Sequence, residues 1–272
     1  MIPRKAHFYW GAEHISYLRY MTIVSFKKHN PDWEVILYKP KIVSENFDWV
    51  THEHKFAFTS NDYTEQLYAL DWLVIKEINF EDFGVLNDMS EVHKSDFFRL
   101  HLLSTEGGLW SDMDILYFKP VDTVLDLNDY HDTYFCFNTF SDKVIKYHSI
   151  GFLLASENNK IFKLLYEKSF SHITNNYGYQ KIGSPFYEKY VKMSNPTICN
   201  LPMSIVYPFV RPFSDIWTLP SLVSNQKLKS NTIGIHWYAG AEETNFYQNN
   251  ITELNYKDYD NIISYTLDRI KG

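Results

Sequence analysis

Two cysteines in 272 residues, Cys136 and Cys199, do not make a disulfide framework, and neither has the paired spacing of a zinc site. They are expected to be buried thiols of a protein from a reducing compartment. Also missing is any run of about 18 apolar residues that would cross a bilayer. The opening MIPRKAHFYWGAEH has no apolar core of a signal peptide. Both absences point to a soluble, cytoplasmic chain without an integral membrane segment. Lysine and arginine never gather into a run and the net charge is −7, so neither nucleic acid nor an anionic membrane is an expected partner. No repeat of fixed period and no low-complexity linker divides the chain.

What is present is apolar and aromatic. Hydrophobic residues make up 45% of the chain, enough for a sizeable core, and aromatics 18%. Most rings fill cores, but many Tyr and Trp also suit sugar and base recognition, since faces stack while polar edges hydrogen-bond. Lys5 to Trp10 alternates like a strand, Ile15 to His29 carries apolar residues at helical spacing up to Asn30-Pro31, and WEVILY at 33–38 reads as a second strand. Strand, helix and strand in that order predict an α/β fold with a parallel sheet core. Further along, helices are expected over 62–79, 91–105, 159–169 and 256–270. Short strands are expected after Asp114, at 135–137, 150–155 and 233–238, and shaped loops over 175–217.

The chemistry concentrates in KSDFFRLHLLSTEGGLWSDMDILYFKP. Asp112 and Asp114 flank one residue, and on a strand residues two apart face the same side. Paired carboxylates there suit a hard divalent cation such as Mn²⁺ or Mg²⁺, with positions left for diphosphate oxygens. An isolated Asp-x-Asp is ordinary surface chemistry. Its surroundings are less so: Asp96 and Arg99 lie three apart on one helix face, and Gly107-Gly108 ends the helix and permits close backbone approach to a ligand.

This stretch resembles the DxD sugar transferases, a group that includes initiating mannosyltransferases and the glucosylating domains of clostridial toxins. The matching positions are Asp96, Arg99, Gly107, Gly108, Trp110, Asp112 and Asp114. Around it, IPRKAHFYWG resembles the family's opening strand, with Trp10, or failing it Tyr9, as the ring that stacks on the base. HSIGFLLASENNKIF resembles the strand after the metal motif. IGSPF, with Gly183, Ser184 and Pro185, resembles a loop on the acceptor side. IGIHWYAG, with His236 and Trp237, resembles the strand and segment that close over the diphosphate. The chain departs from the family after Gly240, where Ala241-Glu242-Glu243 stands in place of a Ser-Trp pair.

The resemblance implies a GT-A fold, a Rossmann-like mixed sheet flanked by helices, as one domain over residues 1–272. Its first 120 or so residues would bind the nucleotide sugar and the remainder would face the acceptor. It implies a retaining transfer of a hexose from a UDP-sugar, or GDP-mannose, to a glycan or protein hydroxyl, as in glycan biosynthesis. Asp114, Asp112 and His236 would bind Mn²⁺ or Mg²⁺. Asp112, Asp114 and Arg99 would carry catalysis, and Tyr9, Trp10, Asp96, Arg99, Gly108, Asp112, His236 and Trp237 would bind the donor. The bland readings are a strand-end cap for Asp114, a helix ion pair for Asp96 and Arg99, a core histidine for His236 and a turn at 183–185. Two other classes stand beside the transferase. One is an inactive sugar- or nucleotide-binding module. The other is an Asp-x-Asp phosphohydrolase, which needs an apolar strand just before the first aspartate.

Overall fold

The computed structural model describes residues 1–44, 60–125, 130–140, 145–173, 181–192, 195–210, 213–222 and 227–272. Part of the loop region expected over 175–217 lies outside them. The strands are β1 (Lys5–Tyr9), β2 (Glu34–Pro40), β3 (Leu73–Ile78), β4 (Gly108–Ser111), β5 (Ile115–Tyr117), β6 (Thr133–Phe140), β7 (Ile145–Ala155), β8 (Ile198–Pro202) and β9 (Gly234–His236). The helices are α1 (Tyr17–His29), α2 (Thr64–Tyr68), α3 (Glu91–Thr105), α4 (Lys160–Ser169), α5 (Ser184–Tyr190), α6 (Asp215–Thr218), α7 (Glu242–Asn250) and α8 (Ile262–Lys271).

Seven strands form one sheet in the order β3-β2-β1-β4-β7-β6-β8. β7 alone runs against its neighbours β4 and β6; the other pairings are parallel. The sheet is therefore mixed and flanked by helices, the α/β class expected of a GT-A fold. Alternation along the strands sends side chains to two cores. Ala6, Phe8, Val35, Leu37, Leu109, Phe152 and Leu154 pack with α1 and α8, whereas Tyr9, Ile36, Tyr38, Trp110, Leu153 and Phe135 pack with α3, α4 and α5. β5 and β9 pair antiparallel as a separate two-stranded sheet.

α1 begins where the Ser16 side chain accepts the backbone N–H of Arg19, and α4 where Asn159 accepts from Ile161 and Phe162. α3 spans the expected residues and ends in Gly107 and Gly108 at φ 65° and 93°, backbone that a glycine adopts without a Cβ penalty.

Three expectations need correction. The helix read over 62–79 stops at Tyr68, and Leu73–Ile78 (LVIKEI) is strand β3 in parallel register with β2; partnering on the open sheet edge outweighs the helical spacing. The terminal helix is broken, with a single 3₁₀ turn at Tyr256–Asp258 before α8 starts at Ile262, capped by Asn261, whose side chain accepts from Ser264 N–H. Of the cysteines, Cys136 is buried but Cys199 only partly so.

Candidate functional site

β1 and β4 are parallel, so Trp10 and Asp112 emerge from the same, carboxyl-terminal edge of the sheet, where a doubly wound α/β sheet leaves its crevice. After Ser111 the chain leaves β4, turns through Asp112, Met113 and Asp114, and enters β5. The two aspartates thus sit in a turn between sheets and not on a strand, and it is the turn that brings their carboxylates together. α1 braces it: the Thr22 hydroxyl lies 3.2 Å from the Met113 carbonyl, and Ser25 Oγ accepts the Tyr117 N–H at 3.0 Å. Register places Ile115 opposite His236, which carries the imidazole to the acidic pair.

Asp112, Asp114 and His236 each offer one ligand atom within 4.8 Å of the others. Asp114 Oδ2 accepts the backbone N–H of Ala239 at 2.9 Å, and its carbonyl accepts from Trp237 N–H. Its Oδ1 pairs with His236 Nε2 at 3.0 Å. Two carboxylates and an imidazole converging in this way fit a hard divalent cation. Burial alone would push the Asp114 carboxyl up, but His236, Arg19 and the Ala239 N–H outweigh it and hold the group below its ordinary value. His236 Nδ1 accepts the Tyr238 N–H at 3.2 Å. In the neutral ring the proton is then on Nε2 and faces the triad, so His236 is a donor to it in this conformation; ligation through Nε2 would require the Tyr238 contact to break.

Behind the triad lies an acid–base layer. Arg99 pairs with Asp96 Oδ1 at 2.7 Å, approaches Asp112 Oδ1 at 3.6 Å and donates to the Ile150 carbonyl and Ser95. Its guanidinium stands 5.0 Å from the Trp110 ring, and Trp110 Nε1 donates to Asp112 Oδ1 at 2.9 Å. Burial raises the Asp96 carboxyl to about 6, against the pull of Arg99 and with the push of Asp112. The pair is buried, unlike an exposed helix ion pair, and stands beside Asp112.

Several expected residues stand elsewhere. Gly108 begins β4, at the far end from Asp112, and a Cβ there would lie 2.5 Å from the Lys5 carbonyl; the close approach it permits is to β1 and not to a ligand. Tyr9 points into the α3 core and donates to Glu91, so it does not share a face with Trp10. The Trp237 ring is wholly buried in the α1-side core. Gly183, Ser184 and Pro185 are the N-cap and first turn of α5 and not a loop. The segment that departs from the family after Gly240 becomes α7, with Thr244 Oγ1 bonded to the carbonyls of Trp237 and Tyr238.

Sequence reading missed Gly151, Tyr207 and Arg19. A Cβ on Gly151 would lie 2.5 Å from Asp112 Oδ2 and 2.8 Å from the Tyr207 hydroxyl, and the Tyr207 ring stands 4.9 Å from that of His236. A glycine inside a strand signals such an approach; nothing in the sequence marks Tyr207. The Arg19 guanidinium stacks 3.9 Å over Trp10 and lies 5.4 Å from Trp237.

Residues 18–131 match the family model described as the glycosyltransferase sugar-binding region containing the DXD motif. A comparison with curated proteins gives no match. Among solved structures, the glycosyltransferase GlyE of Streptococcus pneumoniae TIGR4 is similar at 12% identity, over 93% of this chain and 61% of that one, with a TM-score of 0.48. The galactosyltransferase LgtC, in complex with donor and acceptor sugar analogues, is similar at 16% identity over 92% and 98%, with a TM-score of 0.46. The UDP-bound glycosyltransferase domain from the YGT toxin shares 12% over 70% and 67%, with a TM-score of 0.38. Within the DXD region Asp112 and Asp114 are the motif's acids. The apolar strand that a phosphohydrolase needs before its first aspartate is met in position by β4, which is wholly buried and ends just before Asp112. No helix among the described residues is long and apolar enough to cross a membrane.

Proposed function

We propose that this chain is a metal-dependent, retaining glycosyltransferase that moves a hexose from a nucleotide sugar, UDP-linked or GDP-linked, to a hydroxyl of a glycan or protein. The observation that carries this reading is the convergence of Asp112 and Asp114, both inside the DXD-matched region, with His236 at the sheet's carboxyl edge, their ligand atoms within 4.8 Å of one another. Asp112 and Asp114 would hold Mn²⁺ or Mg²⁺, which when bound supplies Lewis-acid neutralisation of the leaving diphosphate. The protein's own part is positional. Arg99, held by Asp96, keeps Asp112 aimed from behind; the Ala239 N–H keeps Asp114 aimed from the other side; His236 presents Nε2–H to the triad. Groups fixed in advance cost little reorganisation when charge develops. Trp10, partly exposed at the end of β1, offers a ring for the base. One domain with a donor-binding first half and an acceptor-facing second half is consistent with β1 to β4 supplying Trp10, Arg99 and Asp112.

The test is a panel of UDP- and GDP-sugars incubated with Mn²⁺, read by release of the nucleoside diphosphate. Release from at least one donor, abolished in Asp114→Asn, is expected. No release from any donor, together with no Mn²⁺-dependent nucleotide binding, would refute the assignment.

A further inference from the structure

We infer that Glu91 is a positioning residue for nucleoside recognition, holding from the α3 side the backbone on which the Trp10 ring is presented; the inference rests on Trp10 as the base platform proposed above. Neighbouring strand residues point to opposite faces, and here Tyr9 packs with α3 while Trp10 packs against the α1-side core. Glu91, the first residue of α3, touches both chain neighbours of Trp10. Its Oε2 accepts the Tyr9 hydroxyl at 2.5 Å, and a Cβ on Gly11 would lie 2.1 Å from the same oxygen. Gly11 is buried, so glycine there is the clearance that lets the carboxylate lie against the chain as it leaves β1.

The other carboxylate oxygen gathers a second segment. Oε1 accepts the Ser44 N–H and the Lys94 ammonium, each at 2.7 Å. Lys94 also donates to the Ile42 carbonyl at 3.0 Å, and the Ser44 hydroxyl to the Asp88 carbonyl at 2.8 Å. The end of β1, the residues after β2 and the approach to α3 therefore meet on one group. The Lys94 side chain has no exposed surface and that of Glu91 is 15% exposed. A buried ion pair adds little stability over an apolar pair of the same volume, whereas its directional bonds admit one arrangement of the three segments. Further along the same helix Arg99 pairs with Asp96 and approaches Asp112. Eight residues of helix separate Glu91 from Arg99, about 12 Å of rise. α3 thus acts as a ruler between a base on Trp10 and a diphosphate at the acidic turn, and a spacing fixed in advance lowers the ordering cost of binding.

The experiment measures binding of uridine and guanosine diphosphates and of inorganic diphosphate by calorimetry, with Mn²⁺ and the whole chain. The ratio of nucleoside diphosphate to inorganic diphosphate affinity reports the base alone. Trp10→Leu should lower that ratio by about tenfold, the loss of one stacked base. Glu91→Met/Lys94→Met removes both charges together, so no buried charge is stranded, and should lower the ratio by about fivefold or more with inorganic diphosphate affinity nearly unchanged. Gly11→Ala, whose Cβ displaces the carboxylate, should do the same. A merely structural role for Glu91 would lower the melting temperature and leave the ratio alone. An unchanged ratio in a cooperatively melting double variant overturns the inference; if that variant does not fold, an unchanged ratio in Gly11→Ala overturns it. A ratio that falls in Trp10→Leu but not in these variants sinks Glu91 and spares the platform. A ratio unmoved by Trp10→Leu, or a wild type that binds no nucleotide with Mn²⁺, removes the platform reading and the inference with it.

Discussion

Asp114 Oδ2 accepts the backbone N–H of Ala239 at 2.9 Å while Oδ1 of the same carboxylate pairs with His236 Nε2 at 3.0 Å. One oxygen therefore anchors the segment after β9 and the other faces the triad. Asp114→Asn separates these roles, because the amide oxygen can still accept from Ala239 but the charge is gone. We expect turnover to fall by on the order of a hundredfold or more, with a thermal midpoint close to the wild type's. Native kinetics in this variant would show that the acidic turn does no chemistry.

Metal removal bears on the same carboxylates from the ligand side. EDTA should abolish donor cleavage and Mn²⁺ should restore it, because without a cation the diphosphate meets two carboxylates with no divalent charge between them. The check is initial rate against added Mn²⁺ after exhaustive chelation. Full turnover in a preparation shown to be metal-free would exclude the assigned role of Asp112 and Asp114.

Much of this site was legible because its parts lie close together in the chain. Asp96 and Arg99 share a helix face, and Asp112 and Asp114 share a turn, so spacing together with the family resemblance pointed to them. The turn itself was misread as a strand, since residues two apart converge equally well where the chain crosses from one sheet to another. Long-range placement was less legible. His236 reaches Asp114 only through the β5–β9 register, and Gly151 touches Asp112 only because β7 runs antiparallel to β4. The 62–79 segment failed for a related reason: helical spacing in LVIKEI is visible locally, whereas the open edge of β2 that makes it a strand is not. Arg19, one polar position among the apolar residues of α1, carries no local mark of the two tryptophans it joins.

Gly151→Ala tests the unforeseen contact. The added Cβ would lie 2.5 Å from Asp112 Oδ2 and 2.8 Å from the Tyr207 hydroxyl, so the carboxylate has to move. Overpacking of this kind costs about 1–3 kcal/mol. Displacing a metal-facing carboxylate by part of an ångström should lower turnover by about a hundredfold. The discriminating measurement is Mn²⁺ affinity alongside rate: a variant with both unchanged would place Asp112 outside the chemistry.

His236→Ala distinguishes a site residue from a core one. His236 is partly buried, its Nδ1 accepts from Tyr238 and its Nε2 faces Asp114. If its work is at the triad, Mn²⁺-dependent diphosphate affinity should drop while the ligand-free melting temperature stays nearly the same. A core histidine would instead cost about 1–3 kcal/mol of stability with affinity preserved. Both quantities are read on one preparation, and a destabilised variant with native affinity would remove His236 from the site.

The last prediction concerns stability and lies away from the triad. His7 is fully buried; its Nε2 is 2.8 Å from the Gly107 carbonyl and its Nδ1 3.1 Å from the Tyr38 hydroxyl. A neutral ring satisfies both, with Nε2–H donating to the carbonyl and Nδ1 accepting from the phenol. A charged ring would set a second N–H on Nδ1 toward the phenol in an apolar setting. Burial accordingly lowers the group from 6.5 to about 4, although the Gly107 carbonyl and Glu106 pull the other way. In the unfolded chain His7 takes up a proton near 6.5, in the folded chain only near 4, so between those values the unfolded state binds more protons. Stability therefore falls as pH drops from about 6.5 to about 4, by up to roughly 3 kcal/mol from this one group. Carboxylates also titrate toward the lower end of that window, which makes a difference measurement necessary. His7→Gln keeps a donor and an acceptor but does not titrate. Its denaturant midpoint should decline less steeply than the wild type's between pH 6.5 and 5, where carboxylates contribute least. Parallel curves for the two proteins across that interval would mean that His7 is charged, or exposed, in the folded chain.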